Sequence, residues 1–385
     1  MPSRRQILIT GTASAIVIGG GLFTYDIFSP TLAEAREPWR AAAEGFGDTR
    51  LDILAYAILA PNPHNRQPWV IELIGDDRIR LTVDLDRMLP ETDPPNRQIT
   101  IGLGAFLELL RMAAAEKGYR AEIAPFPEGE PQPVLDARPI ADIRLVREPG
   151  IAKDPLFDVV LDRHTNREQY EPGAVSDQQF SAMRNALPDG GAVVMDWAND
   201  TEGVAALKAI ATDAWLIEYE TPHTLQESID LMRIGADEAN ANPDGIILDG
   251  PLMEAASNIG IVTREKLADP ESYAFAEGIA MYTALIEASP SLLWLYTPDN
   301  SRVTQLATGA AWLRVQLAAT QAGLAMQPLS QVLQEFPEMA EQYARLHAHL
   351  GIAAPSRVQG LFRIGQGSAM QPSPRWPLTS RLIGA

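Results

Sequence analysis

Cysteine is absent from all 385 residues, which excludes disulfides, zinc-thiolate sites, iron-sulfur clusters and a cysteine nucleophile together. Positive charge is scarce: 31 Lys and Arg against 50 Asp and Glu leave a formal charge of -19. A sequence-independent grip on nucleic acid needs clustered cations, so nucleic acid drops out as a partner. Histidine is sparse at five residues. The one close pair, His347 and His349, is spaced i and i+2, which points to different faces of a helix, so no metal site is expected. No convincing acid–base dyad stands out either, and no catalytic side chain is assigned. What remains, 46% apolar and 21% charged, is a globular composition long enough for two domains or one fused pair.

The N-terminus carries Ser3-Arg4-Arg5-Gln6-Ile7-Leu8 ahead of an apolar run from Ile7 to Phe23. The arrangement resembles a twin-arginine export signal, with Ala33-Glu34-Ala35 as a small-x-small cleavage site. A short inner-membrane anchor helix with two flanking cations reads the same way, so periplasmic export and anchoring both stay open. Residues 1–35 are set apart from the fold.

Leu51, Leu54, Ala55, Ile58 and Leu59 follow helical spacing up to Pro61. Alternation through Val70–Ile74 and Ile79–Leu85 around Gly75-Asp76-Asp77 reads as a hairpin. A helix is expected from about Thr100 to Lys117, with Gly118 as its left-handed cap, then a loop rich in Pro, Glu and Gly over 125–139 and a strand over 140–146. Gly104–Gly118 (GAFLELLRMAAAEKG) lies without gaps on Gly309–Gly323 (GAAWLRVQLAATQAG), and Arg97 matches Arg302 at the same offset of 205. Two alanine-rich helices can agree by chance. An internal duplication would instead make residues 36–150 and 151–385 related halves, with a dimer-like interface inside one polypeptide. The second half then carries a polar helical insertion, about 219–273, which reads as a lid or as a surface layer.

Three stretches hold the polar groups that suit a ligand. APNPHNRQPW (60–69) connects a helix to a strand and contains Pro61, Asn62, Pro63, His64, Asn65 and Gln67. DRHTNREQY (162–170) puts Arg163, His164, Thr165, Asn166 and Arg167 in a row, a grouping of guanidiniums, hydroxyl and amide that suits an anion. SPRWPLTSR (373–381) holds Arg375 between prolines. A tight loop, a solvated helix start and a wrapping tail would account for the same residues.

APNPHNRQPW resembles the A-P-S-x-x-N-x-Q-P-W segment of the nitroreductase superfamily, DRHTNREQY its R-R-S-x-R segment, and SPRWPL its C-terminal R-x-P-L segment. Asn62 and Thr165 stand where serine is usual. The split of these segments resembles the twin-domain, Acg-type branch. The resemblance implies an α+β, nitroreductase-like fold of two fused halves forming an internal pseudo-dimer, a monomer with one composite site for flavin mononucleotide (FMN). It further implies that Arg163, Thr165, Arg167 and Arg375 bind the phosphate and ribityl chain, beside His164 and Asn166. Pro61, Asn62, Pro63 and Asn65 approach the ring, with His64 a candidate to face it and Gln67 supporting the loop. NAD(P)H and a small aromatic acceptor are the further partners implied. The activity implied is two-electron reduction of a nitro, quinone or related acceptor, with flavin sequestration without turnover as the alternative.

Overall fold

The structure, a computed structural model, describes residues 32–188 and 190–383. The twin-arginine stretch and its apolar run lie outside the described residues. Helices α1 (Glu37–Glu44) and α2 (Thr49–Ala57) lead to an antiparallel hairpin, β1 (Trp69–Ile74) and β2 (Arg78–Val83). The tight turn passes through Gly75 at φ 57, a conformation that a Cβ would strain. The long helix α3 (Arg97–Glu116) begins where the Asp93 carboxylate accepts from the Gln98 and Ile99 amides. Strands β3 (Tyr119–Pro125) and β4 (Ala141–Arg147) follow.

The second half repeats this order. It runs through α4 (Asp177–Asn185), capped by Ser176 and Gln179 in a reciprocal box, and β5 (Val194–Ala198). A long connection follows, made of α5 (Thr201–Glu220), α6 (Pro222–Asp230), β6 (Met232–Ile234), α7 (Ala236–Ala241), β7 (Ile246–Leu248), α8 (Pro251–Asn258), α9 (Arg264–Ala268) and α10 (Tyr273–Glu287). The chain resumes with β8 (Ser291–Thr297), the long helix α11 (Arg302–Gln321), β9 (Ala325–Pro328), α12 (Ala340–His349) and β10 (Arg357–Gly365). The tail ends in β11 (Leu382–Ile383). The connection therefore extends on both sides of the expected 219–273.

Strand order is β11-β1-β2-β4-β3 in one sheet and β5-β8-β10-β9 in the other. With β11 set aside the two orders correspond strand for strand, and every neighbouring pair in both is antiparallel. β11 joins β1 in parallel, so the C-terminal tail completes the sheet of the first half.

The two long helices cross at glycines. A Cβ on Gly104 would lie 2.0 Å from the Leu306 carbonyl oxygen, and one on Gly309 would lie 1.9 Å from that of Ile101. Gly309 and Leu306 stand at the offset of 205 from Gly104 and Ile101, so the contact is reciprocal. Arg97 and Arg302, both buried, behave the same way. Arg97 reaches Leu333, Glu335 and Gln359 of the second half, while Arg302 reaches Pro131 and Pro133 of the first. The apolar interior is continuous across the crossing: Leu306, Leu313 and Leu317 of α11 belong to the core built by α2, β1 and α3.

Candidate functional site

Residues 60–68 form a compact loop that two prolines keep from continuing α2. Asn62 braces it from inside, accepting the Gln67 amide at 2.7 Å and donating to the Ala60 carbonyl at 3.1 Å. His64, Asn65 and Gln67 adopt φ of 44, 51 and 49°, a left-handed region that costs most side chains energy and that asparagine tolerates best. The loop can sit this low because α3 offers Gly102, where a Cβ would come within 2.9 Å of the Asn62 Cβ. Gln67 is fully buried and links three parts of the chain: its Nε2 donates to the Pro243 carbonyl (2.7 Å), and its Oε1 accepts the Trp376 amide (2.9 Å). Trp69 packs in the core against Phe106.

The basic segment folds against the same loop. Arg163 donates to the Leu59 carbonyl at 3.1 Å and to Gln316 Oε1 at 3.2 Å, and its Nε has no partner. Gln316 in turn donates to the His164 carbonyl, and the His164 ring meets Trp39 edge-on at 5.2 Å. Thr165 bridges to Met326 beside β9. Asn166 is committed to the fold through the Met326 and Ser368 carbonyls and the Glu168 amide. Arg167 is exposed and makes no hydrogen bond or ion pair among the described residues.

Arg375 closes the group. Its guanidinium donates to the carbonyls of Ile58, Leu59 and Ala60, the open end of α2, and to Asn65 Oδ1 at 2.6 Å. Asn65 Nδ2 donates to the Pro374 carbonyl at 3.0 Å. The three stretches singled out by sequence therefore meet around the C-terminal end of α2. Trp39, which sequence gave no reason to single out, lies 5.9 Å from the Arg163 guanidinium and 5.5 Å from that of Arg375, within range of a cation–π attraction.

Arginines elsewhere are handled in two ways. Arg97 pairs with Glu335, Arg87 with Asp244, and Arg314 with Glu108 and Asp154, while the buried Arg302 and Arg363 are held by carbonyls and neutral side chains without an ion pair. Arg163, Arg167 and Arg375 form no ion pair among the described residues. Burial pushes Arg163 down to about 10. Burial, then the neighbouring Arg163 and Arg167, pushes Arg375 down to about 9. His64 falls to about 4 through burial and then Arg167 and Arg66; His164 falls to about 4 through burial and then Arg163, Arg375 and Arg36. Arg167 is open to solvent by surface area, yet burial among surrounding protein still lowers its pKa.

The connection between β5 and β8 closes over the loop. The Gly245 amide approaches the Asn65 carbonyl at 3.4 Å, beside the Gln67–Pro243 bond. Between them Asp244, buried, accepts from Arg87 and Arg233 at 2.6 Å each and from the Trp376 indole at 2.9 Å. Burial alone would raise this carboxyl, but the bonds from Trp376, Arg87 and Arg233 outweigh it and hold it below the usual range. In the sequence Asp244 sits in Asn-Pro-Asp-Gly, which signals a turn and nothing of its three distant partners.

The corresponding place in the second half, at the end of α4, is furnished differently. Arg314 donates to the Ala186 carbonyl as Arg375 does to that of Ile58. Here the cations Arg111 and Arg314 are met by Glu108 and Asp154, around a surface pocket of about 330 Å³. Among the described residues no group of three or more His, Asp or Glu is placed to hold a metal ion.

The depressed histidines make a pH prediction. A base whose pKa is lower folded than unfolded costs nothing above its unfolded value near 6.5, and costs progressively more as pH falls toward 4, because the unfolded chain then binds the extra proton. The two rings are expected to contribute a downward slope in urea-measured stability from pH 6.5 to about 4 in the flavin-free protein, against the opposite slope from the buried carboxyls of Asp93 and Glu218, which burial raises to about 6 and about 7. His64→Gln with His164→Gln should flatten that slope. An unaltered slope in the double variant would mean that the two rings are not buried as described.

No family model matches this chain. It is 26% identical over 338 residues, 84% of this chain and 90% of the relative, to "Putative NAD(P)H nitroreductase acg" of Mycobacterium tuberculosis H37Rv. It is 28% identical over 148 residues, 36% of this chain and 39% of the relative, to "Probable NAD(P)H nitroreductase PigM" of Serratia sp. ATCC 39006. Among solved structures, the FMN-dependent nitroreductase NfnB of Mycobacterium smegmatis in complex with NADPH aligns at a TM-score of 0.36 and 14% identity, over 58% of this chain and 96% of that one. Over more than four-fifths of its length, the chain is thus similar in sequence to Acg-like homologues that bear the name of NAD(P)H nitroreductases.

Proposed function

We propose that this chain is an FMN-dependent, nitroreductase-like oxidoreductase with a single composite flavin site, reducing a nitro, quinone or related acceptor with NAD(P)H as donor. The observation that carries the reading is the convergence of Arg163, Arg167 and Arg375 on the Asn65 loop with no carboxylate among them, inside a chain of net charge -19. Uncompensated buried charge is costly, so such a cluster calls for an anion. A flavin phosphate supplies one.

The residues fit that group unequally. Arg375 spends most of its donors on the carbonyls that end α2 and Arg163 gives one donor to the Leu59 carbonyl and one to Gln316, so both screen that negative end and orient the loop. Arg167, with all its donors free, and the unpartnered Nε of Arg163 are the groups left to hold phosphate, with Thr165 beside them. Pro61, Asn62, Pro63 and Asn65 present a rigid edge toward the ring, since Asn65 is fixed at both ends of its amide. Bound FMN would accept a hydride from the donor and pass it to the acceptor. The protein's share is position, charge and exclusion of water.

The matching strand orders and the reciprocal glycine and arginine contacts support reading the chain as two related halves fused into a pseudo-dimer, divided after β4 near residue 150. One flavin per chain follows, because the cations near the end of α4, Arg111 and Arg314, are already neutralised by Glu108 and Asp154.

The alternative, flavin sequestration without turnover, draws support from the bonds that fasten the connection onto residues 65–67. Sustained oxidation of NAD(P)H with a nitroaromatic would dismiss it; a flavin that stays oxidised under excess donor would dismiss the reductase. Export by the twin-arginine route stays part of the proposal. Leu32 and Ala35 are buried against the connection, and the Arg375 amide donates to the Ala35 carbonyl at 2.8 Å, which favours an uncleaved inner-membrane anchor over removal after Ala35.

The purified protein is expected to be yellow, with one equivalent of FMN by absorbance. Arg167→Ala should raise the flavin dissociation constant about 10- to 100-fold, the equivalent of one charge-assisted hydrogen bond. His349→Ala, at the exposed end of α12, should leave it unchanged. Equal retention in the two variants would place the phosphate elsewhere.

A further inference from the structure

We propose that the Tyr282 hydroxyl is the hydrogen-bond donor that holds an oxygen of the electron acceptor, a nitro or quinone oxygen, in the cleft beside Arg167 and His64. The inference rests on the reading of the chain as a flavin-dependent reductase and gives that site its acceptor-binding group. Nothing in the three sequence stretches points to it, because Tyr282 belongs to α10 of the long connection.

The hydroxyl has its accepting side filled and its donating side free. Gln327 Nε2 and Gln331 Nε2 approach its oxygen at 3.4 and 3.2 Å. The orientation of Gln327 is fixed, since its Oε1 accepts Arg363 Nε at 2.6 Å, so the amide must present its N–H to the tyrosine. A phenol oxygen has two lone pairs and one proton. With two amides donating to it, only the O–H remains, and no acceptor for that proton is present among the described residues. Donation in series from Arg363 through Gln327 to the phenol polarises the chain and makes that O–H a better donor.

The network also ties Tyr282 to the anion cluster. Arg363 Nη2 donates to the carbonyls of Asn166 and Glu168, on either side of Arg167, and its guanidinium lies 3.9 Å from the Tyr170 ring centroid. Tyr282 and Arg167 are near enough for each to shift the other's pKa, and Arg167 does the same to His64. Tyr282 is half-buried, and burial leads the causes that raise its pKa. Its ring is held by Trp215 at 4.4 Å between centroids, which fixes the direction of the hydroxyl. Glu218 on α5 faces Gln331 and Gln334 and serves as a positioning residue for Gln331.

The test compares nitrobenzene with isopropylbenzene, similar in shape but without an oxygen to accept a hydrogen bond. Both are titrated calorimetrically into the protein as purified and into Tyr282→Phe, with flavin content read by absorbance. The variant is expected to bind nitrobenzene about 5- to 15-fold more weakly, the equivalent of one neutral hydrogen bond, with isopropylbenzene affinity and flavin content unchanged. Unchanged nitrobenzene affinity, equal weakening of both ligands, or loss of flavin from the variant would overturn the assignment. A wild-type protein that takes up no flavin would overturn the functional reading instead, while the difference between the two ligands would still decide the role of Tyr282.

Discussion

Gly309→Ala is expected to force α3 and α11 apart and to lower the stability of the fold sharply. The new methyl would stand 1.9 Å from the Ile101 carbonyl oxygen, 2.6 Å from the Ala105 nitrogen and 2.8 Å from the Gly104 carbon. These are backbone atoms of a buried helix, so no side chain can rotate out of the way. Relief requires the helices to separate by about 1 Å or more, and the close packing of both halves opens with them. The cost is at or above the upper end for overpacking, about 3 kcal/mol, to be read as a shift in the urea unfolding midpoint. Gly104→Ala should match it, because its methyl meets the Leu306 carbonyl at 2.0 Å. Gly323→Ala provides the contrast: nothing lies within 4 Å of its Cβ, and only its φ of 71° would be strained, at about 1 kcal/mol. A Gly309→Ala protein as stable as Gly323→Ala would refute the close crossing.

Asp244→Ala is the second large effect. Arg87 and Arg233 would each lose a carboxylate partner at 2.6 Å and the Trp376 indole its acceptor, where burial keeps water from substituting fully. Removing one member of a buried ion pair typically costs about 3–5 kcal/mol, because the partner charge stays behind. Part of this cost is local. The connection would loosen from residues 65–67, so limited proteolysis should cut within residues 199–290 faster than in the wild type, and bound flavin should dissociate faster. If proteolysis and flavin release both match the wild type, Asp244 does not fasten the connection. Asp244→Asn keeps the acceptor for Trp376 while removing the charge, and should fall between the two.

Local patterns were legible where short-range physics decides them. The hairpin over 69–83 was visible from alternation and Gly75, and the two long helices from apolar spacing and their terminal glycines; both Gly118 and Gly323 take the left-handed conformation that ends a helix. β3 was hidden, since its burial alternates only between partial and full exposure, and β9 is four residues ending in proline. The expected start of α3 at Thr100 lay inside the helix, which begins at Arg97 because the cap comes from Asp93, back in the preceding turn.

By itself the sequence determined which stretches are dense in hydrogen-bonding groups, that one of them carries the guanidiniums, and that two helices share an offset of 205 with glycines in register. Those properties belong to neighbouring residues and survive in a one-dimensional reading. Only the tertiary structure decided how the guanidiniums are spent. Arg163 and Arg375 donate to carbonyls more than 100 residues away, while Arg167, two positions along from Thr165, keeps every donor free. It also decided that Asp244 pairs with Arg87, and that the Tyr282 hydroxyl is held by two glutamines, Gln327 and Gln331. Hydrogen bonds act over about 3 Å, so pairings between distant segments exist only once the fold has brought the backbones together.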